Sequence, residues 1–223
     1  MYGFNSLKSQ IILSEDEVEC PVKDCINKVQ RQRKVFRKEP QFKCPDHQIY
    51  ISPSTFEYES ELNNLLWNDD SDKKLFDKIK TVKRESRIAR ENSEDAVSFN
   101  VFRYLQRNDL LNSFLSNICK ENITNSELIL WSYSEKEKGA YSLLNAARTE
   151  FGEVINRGSE PDIIIQTDKT LFFIEAKVLA FNETKPSDPT NTKKYLTGGN
   201  NWFVGDQIIP QQKGKKDQMI PQL

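Results

Sequence analysis

Glu160-Pro161-Asp162-Ile163-Ile164-Ile165-Gln166-Thr167-Asp168-Lys169-Thr170-Leu171-Phe172-Phe173-Ile174-Glu175-Ala176-Lys177 joins two apolar, β-branched runs through a polar turn. That pattern predicts an antiparallel hairpin. With Asp168 and Lys169 at the tip and Thr167 facing Thr170, the pairing counts back to set Ile164 across from Phe173 and Asp162 across from Glu175. Residues opposed on one face stand about 4.5–5.5 Å apart at Cβ. Lys177 lies two positions beyond Glu175 and shares its face. Ile163 and Ile165 fall on the other face with Phe172 and Ile174, so each face carries an apolar layer, as a strand inside an α/β sandwich requires. Two carboxylates and an ammonium are thus expected to converge at one end of the hairpin. Opposed like charges destabilise a strand pair, and carboxylates near an apolar wall carry a desolvation cost. A bound divalent cation offsets both, because hard cations take oxygen ligands.

Pro161-Asp162, a gap of twelve residues and then Glu175-Ala176-Lys177 resemble the motif of the PD-(D/E)XK nuclease superfamily. The resemblance covers the hairpin closely and residues 90–180 loosely. It implies an α/β fold with a restriction-endonuclease-like mixed sheet flanked by helices. It also implies that Asp162, Glu175 and the Ala176 carbonyl hold Mg2+ or Mn2+, with Lys177 orienting the attacking water. The superfamily commonly adds an acidic residue from a helix ahead of the hairpin. Glu94 matches that position best, with Asp95 and Glu91 as rivals. The implied activity is metal-dependent hydrolysis of phosphodiester bonds in DNA, or in RNA. The alternative is a non-catalytic nucleic-acid-binding protein on a degenerate form of the same fold.

The composition suits such a protein. A charged fraction of 29% accompanies apolar residues gathered into runs across 223 residues, which indicates a folded chain. No apolar stretch nears the ~20 residues that span a bilayer. The sequence from Met1 to Asn5 lacks the basic and apolar regions of a secretory signal. With four cysteines and no disulfide framework, a reducing, cytoplasmic setting is expected. The net charge of −1 conceals a basic segment, residues 28–43, where Glu39 alone opposes seven lysines and arginines. Local fields of this kind, rather than totals, meet a phosphate backbone.

Around that segment, Cys20-Pro21-Val22-Lys23-Asp24-Cys25 and Cys44-Pro45-Asp46-His47 form two close ligand pairs. Two such pairs with a strand-like spacer predict a zinc ribbon, ligated by Cys20, Cys25, Cys44 and His47. The spacer is expected to be a strand presenting Arg31, Arg33 and Arg37 on one face, either to phosphates or as a solvated edge. The ribbon module is expected over residues 1–60 and the nuclease-like domain over residues 70–223.

Within that second domain the periodicity predicts a charged helix over Lys73–Arg90 and a further helix capped by Asn92-Ser93. Val97, Val101 and Leu105 are its expected buried stripe, with Phe102 beside it. Leu110–Ile118 continues as helix, Glu127–Tyr133 reads as one buried strand, and Ser142–Phe151 as a helix ending near Gly152. Past Phe181 the chain turns polar, with Gly198-Gly199 as a loop and Lys213, Lys215 and Lys216 in a solvated tail. The absence of a closing element there is expected of a fragment of a longer chain.

Overall fold

The computed structural model describes residues 4–13, 16–83, 85–177, 201–204 and 207–210. The Lys213, Lys215, Lys216 and Gly198-Gly199 expectations lie outside these residues. The chain is mixed α/β and divides into two compact units, Met1–Asp77 with Glu85–Thr124, and Lys78–Arg84 with Asn125–Leu223. Residues 70–77 and 85–124, which the sequence division placed with the nuclease-like domain, fall in the first of these units. No helix among the described residues is long and apolar enough to cross a membrane.

The first unit opens with two short hairpins. Strand β1 (Glu17–Glu19) pairs antiparallel with β2 (Lys28–Gln30), and β3 (Ile49–Ile51) pairs antiparallel with β4 (Phe56–Tyr58). Their inward residues Val18, Val29, Ile49, Ile51, Phe56 and Tyr58 form one core with the three cysteines. Leu7, Ile11 and Leu13 pack against that core from the N-terminal segment. A bridge between Leu7 and Val22, and a bond from Lys8 N–H to the Pro21 carbonyl at 2.7 Å, pin the segment in place.

The basic spacer is not the expected strand. β2 stops at Gln30, and the chain loops because Gln32 is buried, accepting from the Arg37 amide and donating to the Ile51 carbonyl. Arg31 turns inward to the Pro53 carbonyl at 2.5 Å. Arg33 bonds Asp16, and Arg37 lies 3.6 Å from Glu39, so the three guanidiniums have separate partners instead of one shared face.

The charged helix is also shorter than expected. Helix α1 runs Asp70–Lys80, begun by Asp69, whose carboxylate accepts the Ser71 and Asp72 amides at 2.9 and 3.1 Å. The segment beyond it extends the sheet instead. Tyr58 N–H donates to the Ala89 carbonyl and Glu91 N–H to the Phe56 carbonyl, which satisfies the outer edge of β4. Helix α2 (Glu94–Arg107) starts at Ser93, whose hydroxyl accepts the Ala96 amide as its sequence predicts. Its buried stripe is rotated from the expected one, comprising Ala96, Phe99 and Phe102, while Val97 and Val101 are exposed. The reason lies opposite: Phe76 meets Phe99 edge-on at 5.9 Å, and the buried Asp72 takes Arg103 at 2.7 Å and Arg107 at 2.6 Å. Helix α3 (Leu111–Cys119) ends at Lys120 in the left-handed region.

The second unit is built on a five-stranded sheet of β5 (Ser126–Leu130), β6 (Tyr133–Ser134), β7 (Gly139–Ala140), β8 (Ile163–Thr167) and β9 (Leu171–Ile174). The order is β7-β6-β5-β8-β9, and every pair among the described residues is antiparallel, where a mixed sheet was expected. Helix α4 (Ser142–Glu150) follows β7. Tyr141 and Leu144 cover Ile129 and Ile164 on one face of the sheet. A separate hairpin pairs β10 (Asn201–Val204) with β11 (Gln207–Pro210).

The expected single strand Glu127–Tyr133 is two strands joined by a two-residue turn. Trp131 and Ser132 both have positive φ, 46° and 74°, and Leu130 pairs with Tyr133 across them. That is the backbone of a primed hairpin turn, normally made from Asn-Gly or Asp-Gly.

Candidate metal centres

Each candidate ligand pair sits in a hairpin turn. Cys20 and Cys25 occupy the β1–β2 loop, where Cys20 N–H bonds the Asn27 carbonyl at 2.9 Å and Cys25 N–H bonds the Val22 carbonyl at 3.3 Å. Cys44 and His47 lie in the turn closed by the Lys43–Tyr50 bridge and by Cys44 N–H on the Ile49 carbonyl at 2.8 Å. Asp24 and Gln48 take positive φ, which lets each loop reverse within a few residues.

The four ligand atoms all lie within 4.8 Å of one another. Cys25 Sγ is 3.9 Å from Cys44 Sγ, and His47 Nδ1 is 3.5 Å from Cys20 Sγ and 3.7 Å from Cys44 Sγ. A tetrahedral zinc with Zn–S near 2.3 Å and Zn–N near 2.0–2.1 Å has S···S edges of about 3.8 Å and S···N edges of about 3.6 Å. The donor set and its spacing therefore fit a zinc ion. Asn27 Nδ2 lies 3.6 Å from Cys44 Sγ and donates to Asp46 at 2.6 Å, the kind of outer partner that orients a ligand. The Cys44 thiol is lowered to about 7: burial opposes ionisation, but bonds from the His47 and Asp46 backbone and the His47 side chain outweigh it. Burial pushes the neighbouring Cys20 thiol up. One thiol poised to ionise suits a site that takes metal through thiolates. Cys119 is a free thiol on α3, apart from the cluster.

In the motif hairpin, the register is the one counted from the sequence: Ile164 pairs with Phe173, Ile163 with Ile174 and Ile165 with Phe172. Thr167 closes the turn, its N–H on the Thr170 carbonyl and its hydroxyl accepting the Thr170 amide, both at 2.9 Å. Local side-chain bonding thus replaces the Asn-Gly that a tight turn usually needs. β8 is buried on both faces, whereas β9 is the edge of the described sheet and leaves Phe173 61% exposed. The expected double apolar layer therefore holds for β8 alone. Asp162 and Glu175 lie one residue outside the paired strands.

Immediately past the ladder, Asp162 Oδ2 accepts the Ala176 amide at 2.8 Å, and Lys177 Nζ lies 2.6 Å from Glu175 Oε1. A cleft of about 320 Å³ opens beside them, lined by Ser159, Glu160, Pro161, Phe173, Ile174 and Glu175. Among the described residues, the metal-ligand cluster tight enough to share an ion is the Cys3His one. Glu94 stands in the first turn of α2, in the first unit. Its rivals are engaged locally, with Asp95 accepting the Arg87 amide at 3.0 Å and Glu91 the Thr55 hydroxyl at 3.1 Å.

The surroundings of Asp162 hold groups that sequence reading left without a role. Trp131 N–H donates to the Asp162 carbonyl at 3.1 Å, so the strained turn touches the motif directly. Left-handed φ costs a non-glycine residue roughly 1–2 kcal/mol, and such strain is held by its surroundings. Here Tyr141 N–H bonds the Ser132 carbonyl at 2.7 Å, and Arg148 Nη2 bonds the Ser132 hydroxyl at 3.0 Å. Arg148, 6% exposed, also donates to the Ser159 carbonyl from Nε and Nη2 and to Asn145 from Nη1. Glu153 accepts both the amide and the hydroxyl of Ser159, at 2.6 and 2.7 Å. On the other side Lys83, nearly buried, sits 4.5 Å above the Trp131 ring and 3.8 Å from Glu160. An Arg on a helix normally reads as solvent-facing. The signal that marks this one is Gly158 just before the motif, where a Cβ would stand 2.6 Å from Glu153 Oε2 and 2.9 Å from Arg148 Cδ.

Comparison of the chain with family models, with curated proteins and with solved structures finds no match.

Proposed function

We propose that this chain is a metal-dependent nuclease of the PD-(D/E)XK type carrying a zinc-binding ribbon. The observation that carries the reading is the hairpin register. Its ladder ends at the Ile163–Ile174 pair, which leaves Asp162 and Glu175 as the next residues of the two strands, and Glu175 lines a cleft. In this reading Asp162, Glu175 and the Ala176 carbonyl hold Mg2+ or Mn2+, which lowers the pKa of a bound water and stabilises charge on the phosphate. Lys177 orients that water. The ribbon binds zinc through Cys20, Cys25, Cys44 and His47 and helps to hold nucleic acid, DNA rather than RNA. Arg33 and Arg37, with exposed side chains, remain available to phosphates, while Arg31 supports the loop. A reducing, cytoplasmic setting suits ligands that must stay thiolates.

One observation favours a second reading. Asp162 is bonded to the Ala176 amide and Glu175 to Lys177, so both motif carboxylates have partners within the protein. A non-catalytic nucleic-acid-binding protein would keep them that way. Incubating the pure protein with single- and double-stranded DNA and RNA, in Mg2+, Mn2+ or EDTA, separates the two. Cleavage that needs the metal and is lost in Asp162→Asn and Lys177→Ala supports the nuclease. Metal-independent binding without cleavage supports the second reading, and cleavage undiminished in both variants defeats the assignment of the site.

A further inference from the structure

Asp162 precedes the first residue of β8 and adjoins two irregular segments. One is the Trp131-Ser132 turn, which bonds the Asp162 carbonyl, and the other is the Gly158–Pro161 lead-in. Both are fastened by the same buried side chain. Arg148 reaches from α4 to the Ser132 hydroxyl at 3.0 Å and twice to the Ser159 carbonyl, at 3.0 and 2.5 Å. Its remaining arm is occupied by Asn145 at 3.0 Å. A planar guanidinium with donors on a rigid fork can span two segments in this way, where a lysine would supply one mobile point. The arrangement is tight: Gly158 leaves no room for a Cβ between Arg148 and Glu153, and Glu153 grips Ser159 from the other side. Trp131 and Ser132 hold positive φ that neither residue favours. Strain of this kind persists where the structure over-determines it, and it gathers at functional sites.

We propose that Arg148 is the positioning residue of the hairpin metal site, fixing Asp162 by clamping the Trp131-Ser132 turn to the Ser159 lead-in. The proposal rests on the nuclease reading of Asp162 and Glu175. Arg148 is buried. It acts through the backbone on which a metal-binding carboxylate stands, as outer partners of metal ligands do, and their loss typically weakens metal binding 10–100-fold.

The test uses the full, zinc-loaded chain and reads Mn2+ binding by the electron paramagnetic resonance of free Mn2+, so that it does not depend on cleavage. The parent is expected to bind Mn2+ at a site that Asp162→Asn abolishes. Arg148→Gln is expected to weaken that binding about 10-fold or more. Its far-ultraviolet circular dichroism and its nucleic-acid affinity in EDTA should match the parent. Arg148→Lys should recover only part of the loss. Parental Mn2+ affinity in a folded Arg148→Gln protein overturns the proposal. Should that variant not fold, Ser132→Ala, which removes one partner of the clamp, decides: weakening of about threefold supports the positioning role and parental binding overturns it. If the parent and Asp162→Asn bind Mn2+ alike, the nuclease reading of the hairpin fails first, and the positioning role with it.

Discussion

Replacing Gly158 with alanine sets two effects of opposite sign against each other. The backbone there has φ −72°, which any residue adopts, so loss of glycine's freedom in the unfolded chain should stabilise by about 0.4–1 kcal/mol. Against this, the new methyl would stand 2.6 Å from Glu153 Oε2 and 2.9 and 3.0 Å from Arg148 Cδ and Cγ. Flexible side chains usually move aside at little cost. These two are held, Glu153 by the Ser159 amide and hydroxyl and Arg148 by Ser132, Asn145 and Ser159. Overpacking a fixed site costs about 1–3 kcal/mol. The steric effect wins, and Gly158→Ala should destabilise by about 1–2 kcal/mol net, or a few degrees in melting temperature for a chain of this size. The assay is urea unfolding of four proteins: parent, Gly158→Ala, Arg148→Ala and the double variant. With Arg148 removed the methyl keeps only its contact with Glu153, so the penalty of the glycine substitution should shrink, a coupling of about 1 kcal/mol. A single variant as stable as the parent, or a penalty undiminished without Arg148, would refute the packing argument.

Cys44→Ser should abolish zinc in elemental analysis and unfold the ribbon hairpins while the hairpin of the second unit keeps its structure, since metal binding supplies much of a small module's stability. Protein purified without chelators that contains no zinc would count against the site. Asp72→Asn leaves Arg103, 12% exposed, facing a lost charge, while Arg107 keeps Asp69. Breaking a buried pair costs about 3–5 kcal/mol, so a loss near the lower end is expected by urea unfolding, and one below about 1 kcal/mol would show the pair to be dispensable. The Arg107 side chain bonded to Asp69 lowers that carboxyl below its ordinary value of 3.8. A lowered carboxyl contributes stability above its unfolded pKa and loses it as acid protonates the folded state. Asp69→Asn should therefore flatten the acid side of the stability profile below about pH 4, and an unchanged acid limb in melting experiments would contradict the pairing.

The motif hairpin was legible because a period of two and a fixed tip leave one register, and Thr167 needed no glycine to close it. The Cys3His cluster was legible for a similar reason, since four candidate ligands at knuckle spacing admit few arrangements. What the sequence concealed was decided by contacts between distant residues. Val97 and Val101 are apolar at helical spacing, yet α2 turns Ala96, Phe99 and Phe102 inward because Phe76 and Asp72 wait opposite. The Lys73–Arg90 pattern overran α1, because the residues after Lys80 satisfy the open edge of β4 with backbone groups, which leave no periodic trace. Arg31, Arg33 and Arg37 alternate like a strand, but one buried glutamine side chain bends the chain away. The Trp131-Ser132 turn carries none of the usual turn residues, so nothing local announces it. Its conformation is imposed by Tyr141 and Arg148.

The N-terminal segment lies across the Cys20–Cys25 knuckle, with Leu7 bridged to Val22, Lys8 bonded to Glu19 and to the Cys25 carbonyl, and Lys23 bonded to the Asn5 carbonyl. Cys20 and Cys44 are wholly shielded from solvent. An ion held there would exchange by way of local openings of this segment, which depend on the apolar contacts made by Leu7, Ile11 and Leu13.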